Sequence, residues 1–389
     1  MSSSPFPFSW LTPPPMPTPD VAGALERISA MPRVMQIAQR VRRGATPCDV
    51  SYREDQMKVL RYTSTAERKH ATPLLMVFAL VNRPYILDLL PGKSVVRRFL
   101  DRGFDVFMID WGCPRESDRN LRGEDYVNRY LRNAVRHVAE VTGQDQISLM
   151  GYCMGGTLTA MYTALYQETI RNLILMTAPI DFTPGDNLLS IWADPSFFDV
   201  DKIVDTFGNA PPWLLQTSFL MLKPVSNLIE KYLGFYEKMN NDAFVEEFFA
   251  METWINDNIP LAGETYREWV KNGYHKNLLV KGEWPIGRRK VKLSDITCPV
   301  LNLMARDDHL VPCGQSRGFN DLTDSRDRTA IEFPGGHIGL AVSGRAQKEL
   351  WPKACDWLAE RSLPVNPRAA TRASAKRTSA SRKKAARRG

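Results

Sequence analysis

The sequence predicts an α/β fold, a mostly parallel sheet flanked by helices and interrupted by an inserted helical cap. Three observations carry that prediction. Short apolar segments of strand length alternate with helical stretches from Met57 onward. One of them runs directly into a glycine-flanked cysteine followed by an apolar helix. The alternation stops between about Asp181 and Val291 and resumes only at Cys298. Buried apolar strands separated by helices are what a parallel sheet covered on both faces requires.

Taken in order, residues 1–20 are rich in Pro and Ser and read as a disordered arm. A helical stretch follows over Val21 to Arg43. Strands are expected at Met57–Tyr62, Leu74–Leu80, Asp105–Asp110, Ile147–Tyr152, Leu173–Thr177, Val300–Ala305 and Ala330–Phe333. Between several of them lie helices, at Val95–Asp101, Tyr126–Val141 and Gly156–Gln167. Residues 21–180 and 292–363 thus form two parts of one core. The segment 181–291 is helix-leaning and aromatic, with Trp192, Trp213, Trp254, Trp269 and Trp284, and is broken by Pro195, Pro211, Pro212 and Pro260. More than a hundred residues far exceed an ordinary crossover, so this segment is read as a cap. Residues 364–389, with Val365 as the one side chain able to join a core, read as a disordered tail.

The formal net charge of +8 belongs to that tail, which holds nine basic residues and no acidic one, leaving the rest near −1. A basic tail suits a solvated extension equally with an anionic partner, whether nucleic acid or a phospholipid surface. No aromatic residue interleaves it, so base stacking is not supported. The longest apolar run, Leu74 to Val81, is far short of the ~20 residues of a membrane span. The N-terminus lacks the basic and apolar regions of a secretory signal, so a cytoplasmic location is expected. Six cysteines without a CxxC pair, and five histidines in no ligand-like cluster, argue against a disulfide framework and against a metal site.

The chemistry centres on Gly151-Tyr152-Cys153-Met154-Gly155-Gly156. This is the nucleophile-elbow pattern of the α/β-hydrolase fold with cysteine in the nucleophile position. A sharp strand-to-helix turn lifts the nucleophile above the sheet, and side chains two residues before and after it would collide. The turn also sets Cys153 at a helix N-terminus, where the helix dipole favours a thiolate. The fold then needs an acid and a histidine, in that chain order. Asp308 follows the strand Val300–Ala305 in the phrase Asp308-His309-Leu310-Val311-Pro312, with Asp307 as its competitor. His337 ends the next strand behind Gly335 and Gly336. A Cys153–His337–Asp308 triad is expected. The oxyanion hole is expected from the Met154 amide and, in the loop after Leu80, from the Val81 amide. Asn82 in that loop and His309 beside the acid are assigned supporting, hydrogen-bonding roles. His70, His137 and His275 carry no contextual signal.

These phrases, LLMVFALVNRPYILDLLPGKS, FDVFMIDWGCP, GYCMGGT, ARDDHLVP and GGHIGL, resemble polyhydroxyalkanoate synthases. The short length, VNRPYILDL and MLKPVSNLIEKYLGFYEK are similar to class III, or the related class IV, catalytic subunits. The resemblance covers roughly Asp49 to Arg361. It implies polymerisation of (R)-3-hydroxyacyl-CoA into polyester with CoA release and no cofactor, the CoA thioester being the substrate. It also implies a second non-catalytic subunit, a homodimer or hetero-oligomer, and attachment to a polyester granule. Chemistry agrees, since transfer of an acyl group from one sulfur to another keeps it activated, whereas a serine ester would dissipate that activation. Two rival readings remain, a cysteine-dependent hydrolase on the same fold and a granule-associated scaffold.

Overall fold

Eight strands form one sheet in the order β1-β2-β4-β3-β5-β6-β7-β8. They are β1 (Cys48–Glu54), β2 (Met57–Tyr62), β3 (Leu74–Val77), β4 (Val106–Asp110), β5 (Ile147–Tyr152), β6 (Ile170–Met176), β7 (Val300–Ala305) and β8 (Arg328–Phe333). The computed structural model describes residues 21–183 and 188–365. The Pro/Ser-rich arm and residues 366–389 of the basic tail lie outside the described residues.

Only β2 runs against its neighbours. It is antiparallel to β1 and to β4, and every later pairing is parallel. The central strands β3, β5 and β7 are buried at every position, as continuous apolar runs covered on both faces must be. Their C-terminal ends all point to one edge, where a doubly covered parallel sheet places its ligands.

The differences from the sequence expectations have local causes. Strand β1 was not expected: CDVSYRE is a polar edge strand with exposed and half-buried positions, and it carries no apolar run. Strand β3 ends at Val77 rather than Leu80. Phe78, Ala79 and Leu80 are just as buried but sit in a loop, and an apolar run looks the same in either state. The Tyr126–Val141 helix opens as a wide π-turn over Asp125–Leu131 before the α-helix Arg132–Thr142. The N-terminal helix is Val21–Arg40, three residues shorter than expected. Pro364 and Val365, expected to begin the tail, are tied down, the first bridging to His70 and the second donating its N–H to the Lys69 carbonyl at 2.9 Å.

Between β6 and β7 the chain builds a run of helices, among them Val200–Phe207, Pro212–Met221, Lys231–Lys238, Asp242–Ile255 and Gly263–Glu268. The N-terminal helix packs on Asp242–Ile255 through Val34, Met239 and Val245, a small cluster apart from the main core. The three histidines without contextual signal have ordinary partners. His70 stacks on Phe104, His137 meets Ser51 at 2.7 Å, and His275 meets the Ala193 carbonyl at 2.7 Å.

Candidate active site

The turn after β5 is as tight as its glycines suggest. Cys153 adopts φ 55°, ψ −128°, a conformation that side chains rarely take, and the helix Met154–Leu165 starts at the next residue. A Cβ on Gly151 would strike the Thr159 hydroxyl and come 2.5 Å from the Gly155 carbonyl oxygen. One on Gly155 would come 2.5 Å from the Phe78 carbonyl oxygen, and one on Gly156 would strike the Ala178 methyl. The missing side chains therefore do two things. They let the elbow close, and they bring the loop after β3 and the segment after β6 against the helix start.

That close approach sets the surroundings of Cys153. The loop after β3 is fixed at both ends by indoles: Trp111 Nε1 donates to the Phe78 carbonyl at 3.0 Å, and Trp254 Nε1 to the Arg83 carbonyl at 2.8 Å. Val81 and Asn82, between them, line the same cavity as Cys153. Asn82 has φ 62°, and its buried Oδ1 has no hydrogen-bond partner among the described residues. Met154 is the first residue of a helix without a side-chain cap, so its amide N–H has no acceptor within the helix.

His337 stands on the loop after β8 and Asp308 on the loop after β7. His337 Nδ1 lies 2.7 Å from Asp308 Oδ2, with the carboxylate side chain fully buried and the imidazole 11% exposed. The other carboxylate oxygen accepts the amides of Leu310 at 2.9 Å and Val311 at 2.8 Å. Asp308 is therefore fixed from behind while it orients the ring. Asp307 points elsewhere. Its carboxylate accepts the Gly335 N–H at 3.1 Å, and its own N–H donates to the Gly335 carbonyl at 2.9 Å, clasping the loop that carries His337.

Burial by itself would lower the pKa of His337. The Asp308 charge, then the Cys153 charge, and hydrogen bonds to both outweigh that cost and push it up to about 10. An imidazole so placed holds a proton across the neutral range.

Tyr152 was not singled out from the sequence. Its ring stacks on the imidazole at 5.1 Å between centroids, and its hydroxyl donates to the His337 carbonyl at 3.1 Å. Its place beside the nucleophile was the only sequence signal. His309 is exposed and borders an open cavity beside His337, and among the described residues its ring makes no hydrogen bond into the triad.

Two cavities meet at Cys153. One, of about 150 Å³, is walled by apolar and aromatic side chains including Leu215, Phe219, Trp269 and Tyr274. The other, of about 160 Å³, contains His337 and the amides of Gln216, Asn227 and Asn258. The arrangement has the parts of covalent acyl transfer: a nucleophile, a base held by a carboxylate, and helix-start amides beside them.

Residues 88–343 match the family model described as alpha/beta hydrolase fold, and residues 23–99 match that described as poly-beta-hydroxybutyrate polymerase (PhaC) N-terminus. Among curated proteins, the chain is 42% identical over 341 residues to the poly(3-hydroxyalkanoate) polymerase subunit PhaC of Haloferax mediterranei, covering 88% of this chain and 69% of that one. It is 43% identical over 326 residues to the subunit of the same name from Allochromatium vinosum, covering 83% and 91%. Among solved structures, a soluble variant of monoglyceride lipase from Saccharomyces cerevisiae superposes with a TM-score of 0.52 at 10% identity, covering 83% of this chain and 97% of that one. That likeness speaks for the fold alone.

Proposed function

The chain belongs to the poly(3-hydroxyalkanoate) polymerase family, and from that membership we propose that it polymerises (R)-3-hydroxyacyl-CoA thioesters into polyester with release of CoA. The observation that carries the reading onto these residues is the 2.7 Å contact of His337 with Asp308, on a ring close enough to Cys153 for the thiol's charge to raise its pKa.

The cycle follows from the charges. His337 already holds the proton as an imidazolium, stabilised by Asp308, so that Cys153 beside it reacts as the thiolate. The thiolate attacks the thioester carbonyl, whose oxygen gathers charge beside the Met154 and Val81 amides. As the bond to the CoA sulfur breaks, the imidazolium gives its proton to the departing thiolate. Acylation removes the negative charge from Cys153, and with it one of the influences that raise the histidine's pKa. The neutral ring then takes the proton of a 3-hydroxyl, which attacks the thioester of another acyl unit. The apolar, aromatic wall contributed by residues 181–291 acts as a cap that keeps water from the acyl-enzyme.

We also infer a catalytic subunit of the short, class III kind. The chain spans 91% of the Allochromatium subunit, and that relative's name, polymerase subunit, supports a non-catalytic second subunit. Val225, Leu228, Ile229, Tyr232, Leu233 and Tyr236 are exposed at helical spacing and offer an apolar face for association, as a homodimer or with that subunit. Among the described residues no helix is long and apolar enough to cross a membrane. Attachment to the surface of the polyester granule is the location we infer. The test is CoA release from (R)-3-hydroxybutyryl-CoA, with and without a partner subunit, for wild type and Cys153→Ala. Insoluble polyester that disappears in the mutant supports the polymerase; free hydroxy acid alone would replace it with a hydrolase.

A further inference from the structure

The two cavities at Cys153 differ in chemistry, and the reaction assigns them different parts of the substrate. When the CoA thioester exchanges with Cys153, a carbon–sulfur bond forms at Sγ and the bond to the CoA sulfur breaks. The CoA sulfur must leave with a proton, and His337 is the group that holds one. His337 lines the amide-containing cavity and is absent from the wall of the apolar one. The departing sulfur, and the arm attached to it, therefore belong on the His337 side, and the acyl chain on the side of Leu215, Trp269 and Tyr274.

Three amide side chains on the His337 side share one kind of partner. Gln216 Nε2 donates to the Ile255 carbonyl at 3.3 Å, Asn227 Nδ2 to the Leu220 carbonyl at 3.0 Å, and Asn258 Nδ2 to the Ile255 carbonyl at 2.6 Å. Each amide thus has an N–H on a backbone carbonyl, Gln216 donating to the Asn256 side chain as well, and each has its oxygen as its acceptor. Among the described residues none of these oxygens accepts a hydrogen bond from the protein. Three side-chain amides with unengaged acceptors, lining an otherwise apolar pocket, suit a narrow ligand bearing amide N–H donors, and a pantetheine arm carries two of them. The pocket also shares Asn227, Leu310, His337 and Ile338 with a wider cavity of about 310 Å³, at whose rim stand Lys223, Asp307 and His309. Asp307 is engaged with Gly335, whereas the exposed Lys223 forms no ion pair among the described residues.

We propose that the pantetheine arm of CoA lies along the Gln216, Asn227 and Asn258 amides, with a CoA phosphate at Lys223. This rests on the reading of CoA thioesters as substrate, and it deepens it by giving the arm, the phosphate end and the acyl chain separate places. It explains why so apolar a pocket retains several side-chain amides, each aligned by a backbone carbonyl.

Calorimetric titration of the full-length protein with CoA and with pantetheine tests the placement without requiring turnover. Lys223→Glu, at an exposed position, is expected to weaken CoA about ten-fold and leave pantetheine unchanged. Asn258→Leu is expected to weaken both about five-fold, the loss of one amide hydrogen bond. A wild-type protein that binds no CoA, or CoA affinity indifferent to both changes, overturns the placement. Polyester formation by the wild type, measured separately, reports on the polymerase reading. Polymer made with CoA affinity indifferent to both variants sinks only this placement, and CoA bound as expected without polymer sinks only the polymerase.

Discussion

The Tyr152 ring lies against the imidazole of His337 at 5.1 Å with planes 25° apart, while its hydroxyl holds the carbonyl of the same residue at 3.1 Å. One side chain thus fixes both the plane of the base and the backbone that carries it. Burial keeps the phenol protonated, its pKa raised well above the ordinary value, so it remains a donor throughout the working range. Tyr152→Phe keeps the stacking and removes the bond. It is expected to lower stability by about 1 kcal/mol and the turnover of CoA release roughly ten-fold, less than the ~hundred-fold that a 1 Å displacement of a reacting group costs. KM should change little. A variant with full turnover would leave the hydroxyl without a role in placing His337.

The two adjacent aspartates separate by their contacts, Asp308 holding the His337 ring and Asp307 the Gly335 amide. Asp308→Asn keeps the shape but removes the charge that stabilises imidazolium, and an amide can present the wrong partner to Nδ1. CoA release should fall by about three to four orders of magnitude. Asp307→Asn loosens only the clasp on Gly335 and should cost less than ten-fold. Equal losses in the two variants would show that the clasp matters as much as the charge.

The raised pKa of His337 also sets a dependence of stability on pH. In the unfolded chain the ring titrates near 6.5, and in the folded protein near 10. Below 6.5 both states hold the proton and the stabilisation by Asp308 and Cys153 is fully present. Between the two values only the folded state holds it, so the contribution declines as pH rises and is lost once pH passes about 10. Denaturant unfolding of wild type and His337→Gln from pH 6 to 10.5 should show the stability gap between them narrowing as pH rises. A gap that stays constant over that range contradicts the assignment.

How far the site was legible follows from what each residue must do. Cys153 and Asp308 each follow a buried apolar strand and His337 follows an edge strand buried only at Phe333, and glycines that geometry requires stand beside Cys153 and, at Gly335, before His337, so type and position could be read together. Asp308 and Asp307 differ only in the direction of a side chain, which spacing hints at and contacts decide. Tyr152 left only its place beside the nucleophile as a signal, because that position accepts many residues and its value here comes from a loop 185 residues away. The edge strand β1 was missed for the opposite reason, having backbone pairing without an apolar run. Beyond the elbow, the loop after β3 and the aromatic character of the cap, the cavity walls could not be read. Whether Leu215 or Gln216 faces Cys153 depends on how the helices between β6 and β7 settle on the sheet, and tertiary packing alone fixes that.

The elbow itself should be less stable than a chain without function would make it. Cys153 has φ 55° and ψ −128°, a region that glycine enters freely and that costs other residues about 1–3 kcal/mol. The surrounding contacts hold it there: the Cys153 N–H donates to the Met176 carbonyl at 3.0 Å, and its carbonyl accepts the Gly156 N–H at 2.8 Å. Cys153→Gly removes the strained Cβ and loses only a small buried side chain. The two effects oppose each other, and strain is the larger where the thiol already faces a cavity rather than packed atoms. The variant is therefore expected to unfold at higher denaturant than wild type, by about 1 kcal/mol, while releasing no CoA. Cys153→Ala, which keeps the Cβ, should lack the gain. If both variants were destabilised to the same degree, the thiol's packing would outweigh the backbone, and the nucleophile would not be held against its conformational preference.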